Sequence, residues 1–559
     1  MIENPILRGF CPDPSIIRVG EDYYIATSTF EWWPGVRLFH SKDLKHCEQI
    51  PSPLRRESQL NLIGDPPSGG VWAPCLSYDG HMFYLIYTDV KTKKGRFYNT
   101  HNYMVHTNDI YGEWSEPVYL NSIGFDPSLF HDRDGKKYLV NMVNGFKGIL
   151  VQELALTEGN WQLTGERRKV YSGSGIGYTE GPHMYHIGDW YYLLVAEGGT
   201  GYDHCVTMAR SKNLWGPYET APHNPILTSH RNNPDALQKC GHGDLVETPA
   251  GEWYLVHLCS RPLDGEKSCP LGRETAIQKM QWTEDGWLQV EGGGRFADLL
   301  APEPKGCPKP KDLKQQEVPE QPESPVQPKN SVQQENPMQQ VCLIQQNSPM
   351  QHSGFEMGIE DDFREKKLSV LYSSPRVSYD TFANLSARPG YLRLTGQESL
   401  NSLHHVSLVA VRQQEYHVTA ETVMEFHPDY SEQLAGLAYM YDAMNFYLLG
   451  KTADEEGNPA LTLIKSDMGA VTDEISPIPL SGDEPLGLRV VTSADGREAV
   501  FYYRLGTDEW KQAGSSCSTY ILTDEYCRGF TGAHFGMYIH DMTGLKYHAD
   551  FKRFSVRYL

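Results

Sequence analysis

Residues 13–29, DPSIIRVGEDYYIATST, join a short apolar run to an aromatic-rich run through a Gly-centred turn, and the same phrase returns four times. The later copies read APCLSYDGHMFYLIYTD from Ala73, DPSLFHDRDGKKYLVNMV from Asp126, EGPHMYHIGDWYYLLVAEG from Glu180 and GHGDLVETPAGEWYLVHL from Gly241. Their starts lie 60, 53, 54 and 61 residues apart, which suits one four-stranded blade per copy and predicts a five-bladed β-propeller. In a ring of blades the equivalent edges converge on one axis. Asp13, Asp126 and Glu180, each opening its copy, are therefore expected to share one pocket, with Ala73 and His242 near the two remaining places.

Working outward, the repeats occupy residues 1–301, and composition then changes sharply. Residues 302–351 hold ten Pro, eleven Gln and no aromatic residue. Such a segment buries too little apolar area to offset its ordering entropy, so 302–353 reads as a linker. From 354 to 559 short alternating runs return, among them HVSLVAVRQQ, HVTAETVMEF, AGLAYMYD, GLRVVTS and HFGMYIHD, the pattern of an antiparallel β-sandwich. The expected fold class is all-β: a propeller followed by a sandwich.

At 559 residues the chain is too long for one core. Its 33 Tyr and 11 Trp suit both β-structure and a surface that stacks on sugar rings. The formal charge of −21 repels phosphate backbones and anionic lipid, so neither nucleic acid nor a membrane surface is an expected partner. Eleven cysteines, an odd number scattered without CxxC pairs, argue against a disulfide framework or a zinc ribbon. The opening MIENPILRGF has neither a basic n-region nor an apolar h-region, and no run of about 18 apolar residues occurs. A cytoplasmic location with reduced thiols is the expectation.

An isolated Asp before Pro commonly caps a turn. Here Gly-Phe-Cys-Pro-Asp13-Pro-Ser and Gly-Phe-Asp126-Pro-Ser recur in register, with Thr-Glu180-Gly-Pro in a third copy, and the acids are confined to three copies. That restriction argues for assigned roles in a pocket. Hydrolysis of a glycosidic bond needs a carboxylic acid to protonate the leaving oxygen and a carboxylate on the other face of the sugar. A third carboxylate beside the acid raises its pKa and keeps it protonated. Glu180, with the longer arm, suits the proton donor, and the two Asp suit base and modulator.

Many phrases together resemble glycoside hydrolase family 43, within it the two-domain β-xylosidases: NPILRGFCPDPSIIRVGEDYYIATSTFEWWPGV, GGVWAP, IYTD, GFDPSLFHD, YTEGPHMY, AEGGT, QKCGHGDLVET and CPLGRETAIQKMQW, then DDF, LSARPGYLRLTG and FTGA. The resemblance implies a five-bladed propeller with a concanavalin-like C-terminal sandwich, and an inverting mechanism. It makes Asp13 the general base, Glu180 the general acid and Asp126 the residue that orients Glu180 and raises its pKa. It further implies Arg273 as a ligand of sugar hydroxyls, the alternative being a surface ion pair with Glu274. His204 is implied near the acid, the alternative being a structural imidazole. Phe30 and Trp72, with Trp32 less favoured, are candidates for an apolar wall, although aromatics on blade strands also serve as core. The sandwich loop Tyr526-Cys527-Arg528-Gly529-Phe530 is expected to close the pocket with Phe530, which admits only a chain end.

The implied activity is release of xylose from non-reducing ends of β-1,4-xylooligosaccharides, with α-L-arabinofuranosidase side activity on arabinose-substituted oligosaccharides. The alternatives are α-L-arabinofuranosidase as the main activity, an endo-arabinanase, a non-catalytic carbohydrate-binding propeller and a structural interaction propeller. No cofactor is required for the chemistry. Some relatives hold a structural calcium ion on the propeller axis, mostly through waters, with such a histidine as a direct ligand, so His242 is either a metal ligand or a hydrogen-bonded axial imidazole; calcium prefers many oxygens. A homo-oligomer, dimer or tetramer, is implied as well. Where the family commonly has Trp-Ala-Pro-Asp, this chain has Trp72-Ala73-Pro74-Cys75, which predicts sensitivity to thiol reagents.

Overall fold

A computed structural model describes residues 1–231, 233, 236–263, 267–306 and 358–559; most of the expected linker, from residue 307 onward, lies outside them. The first half folds into five antiparallel sheets, each built in chain order. Their innermost strands are Ser15–Val19, Gly70–Tyr78, Ser128–His131, Glu180–Ile187 and Gln238–Glu247. Each of these touches the next, and the fifth touches the first, so the sheets close a ring. The N-terminus fastens that closure: Ile2–Glu3 pairs with Leu300–Ala301, and Leu7 bridges to Thr275 in the fifth sheet. The aromatic second run of each repeat is the second strand, which lies between the inner strand and the next and is buried on both faces, as in Trp190–Glu197 and Trp253–Ser260.

One backbone feature is common to all five copies. Asp13, Ala73, Asp126, Gly181 and His242 all have φ between 38° and 55°. Each precedes Pro or Gly, and register shifts at Trp72/Cys75, Glu180/His183 and Gly241/Gly243 mark the same kink in the ladder. For a non-glycine residue this left-handed conformation costs on the order of 1 kcal/mol, and such kinks re-aim side chains. The shared register is therefore set by the left-handed residue, and Glu180 sits one position ahead of it.

Two residues beyond that kink, side chains tie neighbouring sheets together. Ser15 Oγ accepts from Leu76 N (3.0 Å), Ser128 Oγ donates to Pro182 O (2.6 Å) and Asp244 Oδ2 accepts from Ile16 N (2.8 Å). Cys75 holds this place in the second sheet. Its thiol is buried and pushed up to about 12, by burial first and then by the charge of Asp244. Burial thus leaves little of the thiolate that the expected thiol reactivity needs.

The second half is a sandwich of two antiparallel sheets around Leu437, Tyr439, Leu449, Leu488, Phe501, Phe535, Phe554 and Val556. Its strand Gln433–Asp442 is buried throughout. Odd-numbered residues such as Leu437 and Tyr439 face the sandwich core, whereas Leu434, Ala438 and Met440 face the other way and pack on Phe10, Phe30 and Trp32 of the first half. The two halves therefore share an apolar core. Trp32 belongs to it, fully buried and stacked on His534 at 3.8 Å, as the less favoured wall candidate.

Candidate active site

A cavity of about 290 Å³ lies where the kinked ends of the inner strands converge, at the small end of ligand pockets. Asp13, Asp126, Glu180, His242 and Arg273 line it together with Phe30, Trp72 and Phe530. Eight of the ten candidate residues singled out from sequence thus face one space. His204 and Trp32 are the exceptions, both fully buried outside it.

Asp13 accepts from Ser28 Oγ (2.7 Å), and Ser28 Oγ in turn accepts from Ala73 N (2.8 Å), so the neighbouring sheet fixes its orientation. Asp126 is buried, and its Oδ2 accepts from Gly181 N (3.0 Å), the residue after Glu180. Burial pushes the Asp126 carboxyl up to about 6; the nearby Asp13 charge also raises it, while His242 and the Gly181 N–H act in the opposite direction. Glu180 is 5% exposed and its Oε1 has no hydrogen-bond partner among the described residues. Its carboxyl is held well above the usual range by burial first, then by Asp126 and Asp13, against the opposing pull of Arg273. A Glu180 carboxyl held toward its protonated form is what a proton donor in acid–base chemistry requires.

His242 projects into the cavity, with Nδ1 3.6 Å from Asp13 Oδ1, and its ring fills the space where a Cβ on Gly181 would come within 3.0 Å. Among the described residues no group of three His, Cys, Asp or Glu side chains could hold a metal ion. A single imidazole falls short of the six to eight oxygens such a cation takes, so an ion here would draw the remainder mostly from water, and no step of the chemistry is routed through it. His204 is fully buried behind the wall: its ring lies beneath Gly241, where a Cβ would fall 2.4 Å away, and Nδ1 bonds Lys239 O (3.2 Å). Burial, with His242 and Arg273 nearby, pushes it down to about 3, so it is a neutral support for the strand that carries His242.

Arg273 is 5% exposed, and the surface pair with Glu274 does not form. Glu274 instead binds Arg261 through both oxygens (2.8 Å each) and accepts from Gly9 N (2.7 Å). The Arg273 guanidinium lies 4.3 Å from the centroid of the Phe530 ring. Phe530 comes from the sandwich: its N–H donates to Ser68 Oγ (2.9 Å), and its ring sits 5.9 Å from both Phe30 and Trp72. The three rings form one apolar wall.

Sequence reasoning missed Lys93, Tyr98, Phe125, Phe146, Tyr178 and Thr200, which also line the cavity. Lys93 Nζ stands 4.1 Å over the Phe530 ring; burial lowers it to about 8, Glu31 opposes that shift and Arg273 adds to it. Its setting in VKTKKGR looks like a solvated charge run, and only its place at the inner end of a long strand reveals it.

A buried carboxyl held toward its acid form beside two further carboxyl groups, a buried guanidinium and an aromatic wall in a small cavity form the constellation of a glycosidase. Residues 2–288 match the family described as Glycosyl hydrolases family 43, and residues 360–557 match its Beta xylosidase C-terminal Concanavalin A-like domain. The chain belongs to glycoside hydrolase family 43. Xylosidase/arabinosidase 43B of Humicola insolens, a family 43 relative, is 42% identical over 575 residues, covering 100% of this chain and 97% of that protein. The Beta-xylosidase of Bacillus subtilis (strain 168) is 40% identical over 575 residues, with 100% and 99% covered. The crystal structure of xylan beta-1,4-xylosidase from Bacillus Halodurans C-125 superposes with a TM-score of 0.87 at 44% identity, each chain covered fully. This family 43 member is thus a glycoside hydrolase with a propeller-type fold and a concanavalin-like second domain. Among the described residues no helix is long and apolar enough to cross a membrane.

Proposed function

We propose that each of the five sheets is one blade of a five-bladed propeller and that the enzyme is an exo-acting, inverting β-xylosidase. It releases xylose from the non-reducing ends of β-1,4-xylooligosaccharides and carries α-L-arabinofuranosidase side activity. Glu180 delivers its proton to the glycosidic oxygen. Asp13 takes a proton from the water that attacks the anomeric carbon from the opposite face, and Asp126 keeps Glu180 protonated until the bond breaks. Arg273 holds sugar hydroxyls. The observation that carries this reading is the buried Oε1 of Glu180, unpartnered among the described residues and lining the cavity that Asp13 and Asp126 share.

The exo mode is supported by Phe530, Phe30 and Trp72, which wall a space near the size of one sugar. The dual activity is supported by the name of the Humicola insolens relative and by the similar hydroxyl patterns of xylopyranose and arabinofuranose, between which a site discriminates by about a few kcal/mol of differential transition-state binding. The test is hydrolysis of nitrophenyl β-D-xyloside and nitrophenyl α-L-arabinofuranoside by wild type and Glu180→Ala, with proton NMR of the first sugar formed. Wild-type turnover, inverted product and a loss of roughly 10²–10⁴-fold in the variant are expected. Retained configuration, or full activity in Glu180→Ala, refutes the scheme.

A further inference from the structure

The sandwich supplies more than the wall residue Phe530. The one α-helix among the described residues, Asp524–Cys527, docks on the propeller segment that leads to Arg273. Asp524 N donates to Cys269 O (3.2 Å), Cys269 N donates to Glu525 Oε2 (2.8 Å) and Ala533 N donates to Pro270 O (3.0 Å). Backbones interlock here: a Cβ on Gly272 would fall 1.7 Å from Thr531 O, and one on Gly532 would fall 2.7 Å from Leu271 O.

At this seam Asp524 is 4% exposed. Its Oδ1 accepts from Tyr441 OH (2.7 Å), and its Oδ2 faces two propeller cations, Lys239 Nζ at 3.4 Å and Arg273 Nε at 3.8 Å. Lys239 has a closer partner in Glu525 Oε1 at 2.7 Å. Arg273 Nε is buried without a hydrogen bond among the described residues, and Nη2 donates only a long bond to Thr200 O (3.4 Å). Lys239 is thus satisfied by Glu525, and Asp524 is the carboxylate nearest the arginine.

We propose that Asp524 is a positioning residue for Arg273: a buried carboxylate of the accessory domain aims the guanidinium of the propeller at the sugar. The guanidinium is then bounded by the Thr200 carbonyl, the face of Phe530 and the Asp524 carboxylate, two of these coming from the sandwich. The inference rests on Arg273 being a sugar ligand, as proposed above. A role in docking alone would leave unexplained why the helix presents two acids where Lys239 has already found one.

Steady-state kinetics on nitrophenyl β-D-xyloside, with xylose as inhibitor, separate the two. Asp524→Asn keeps the side-chain volume and an acceptor for Tyr441; kcat/KM is expected to fall about tenfold and the xylose inhibition constant to rise by a similar factor. Glu525→Gln loosens the same helix without facing Arg273 and is expected to stay within about twofold of wild type in kcat/KM. In an Arg273→Ala background, Asp524→Asn should cost nothing further, since the two effects share one cause. Tyr441→Phe, a milder change that frees Oδ1, should lower kcat/KM a few-fold in the same direction. An equal loss in both backgrounds, an equal loss for Glu525→Gln, or wild-type kinetics in Asp524→Asn and Tyr441→Phe overturns the proposal. A wild-type enzyme inert on xylosides and arabinofuranosides refutes the underlying function, and this inference with it.

Discussion

Replacing Asp126 by Asn removes one negative charge from the cavity while keeping an oxygen to accept the Gly181 N–H. Glu180 works in its protonated form, so activity falls on the alkaline side as that proton is lost. A neighbouring negative charge makes the loss harder; removing it makes the loss easier, and the basic limb of the pH–kcat/KM profile moves toward acid. Asp126 is bonded to the residue that follows Glu180, so the two carboxyl groups are close neighbours. Two unit charges about 8 Å apart interact by about 2 kcal/mol at an effective dielectric near 20, equivalent to a displacement of about 1.5 pH. Because burial pushes the Asp126 carboxyl up to about 6, its charge is present above that pH, where the limb is read. Asp13 and Arg273, which also act on Glu180, are unchanged in the variant, as is the neighbouring His242. The assay is kcat/KM for nitrophenyl β-D-xyloside between about pH 4 and 9, with thermal unfolding as the control for folding. A basic limb within about 0.3 pH of wild type in a folded variant refutes the modulating role.

Two further outcomes are expected. Gly272→Ala places a methyl against the Thr531 carbonyl at a left-handed backbone position, so overpacking and strain together should cost about 2–4 kcal/mol and lower both Tm and kcat/KM, read by thermal unfolding and xyloside assay; an unchanged Tm would mean the seam yields freely. Dialysis against EDTA should leave kcat/KM unchanged, since His242 gathers no oxygen cage; a large loss restored by calcium would return it to the role of metal ligand.

The sheets were legible because each repeat carries its own turn and aromatic strand, and the meeting of Asp13, Asp126 and Glu180 followed from the ring alone. The offset of Glu180 was hidden, because aligning copies on their acids obscures the left-handed residue that truly shares a register; the prolines at 14, 74, 127 and 182 were the available signal. Arg273 was found, but its partner was not. Glu274 is adjacent in sequence, yet it opens a strand that Arg273 only precedes, so Glu274 turns to Arg261 while Arg273 turns to a helix some 250 residues away. His204 carried the right chemistry one layer too deep, a depth that one-dimensional spacing does not encode. Lys93 shows the reverse error, a charge run whose member is drawn inward by strand length.

The mutual fit of Gly272 with Thr531, and of Gly532 with Leu271, bears on how such chains diversify. A new accessory domain cannot be fused to this propeller as an independent cassette, because any recombination point between the halves separates backbones shaped against each other to within a bond's width. Viable chimeras must inherit residues 269–273 and 529–533 from the same parent, whatever lies between.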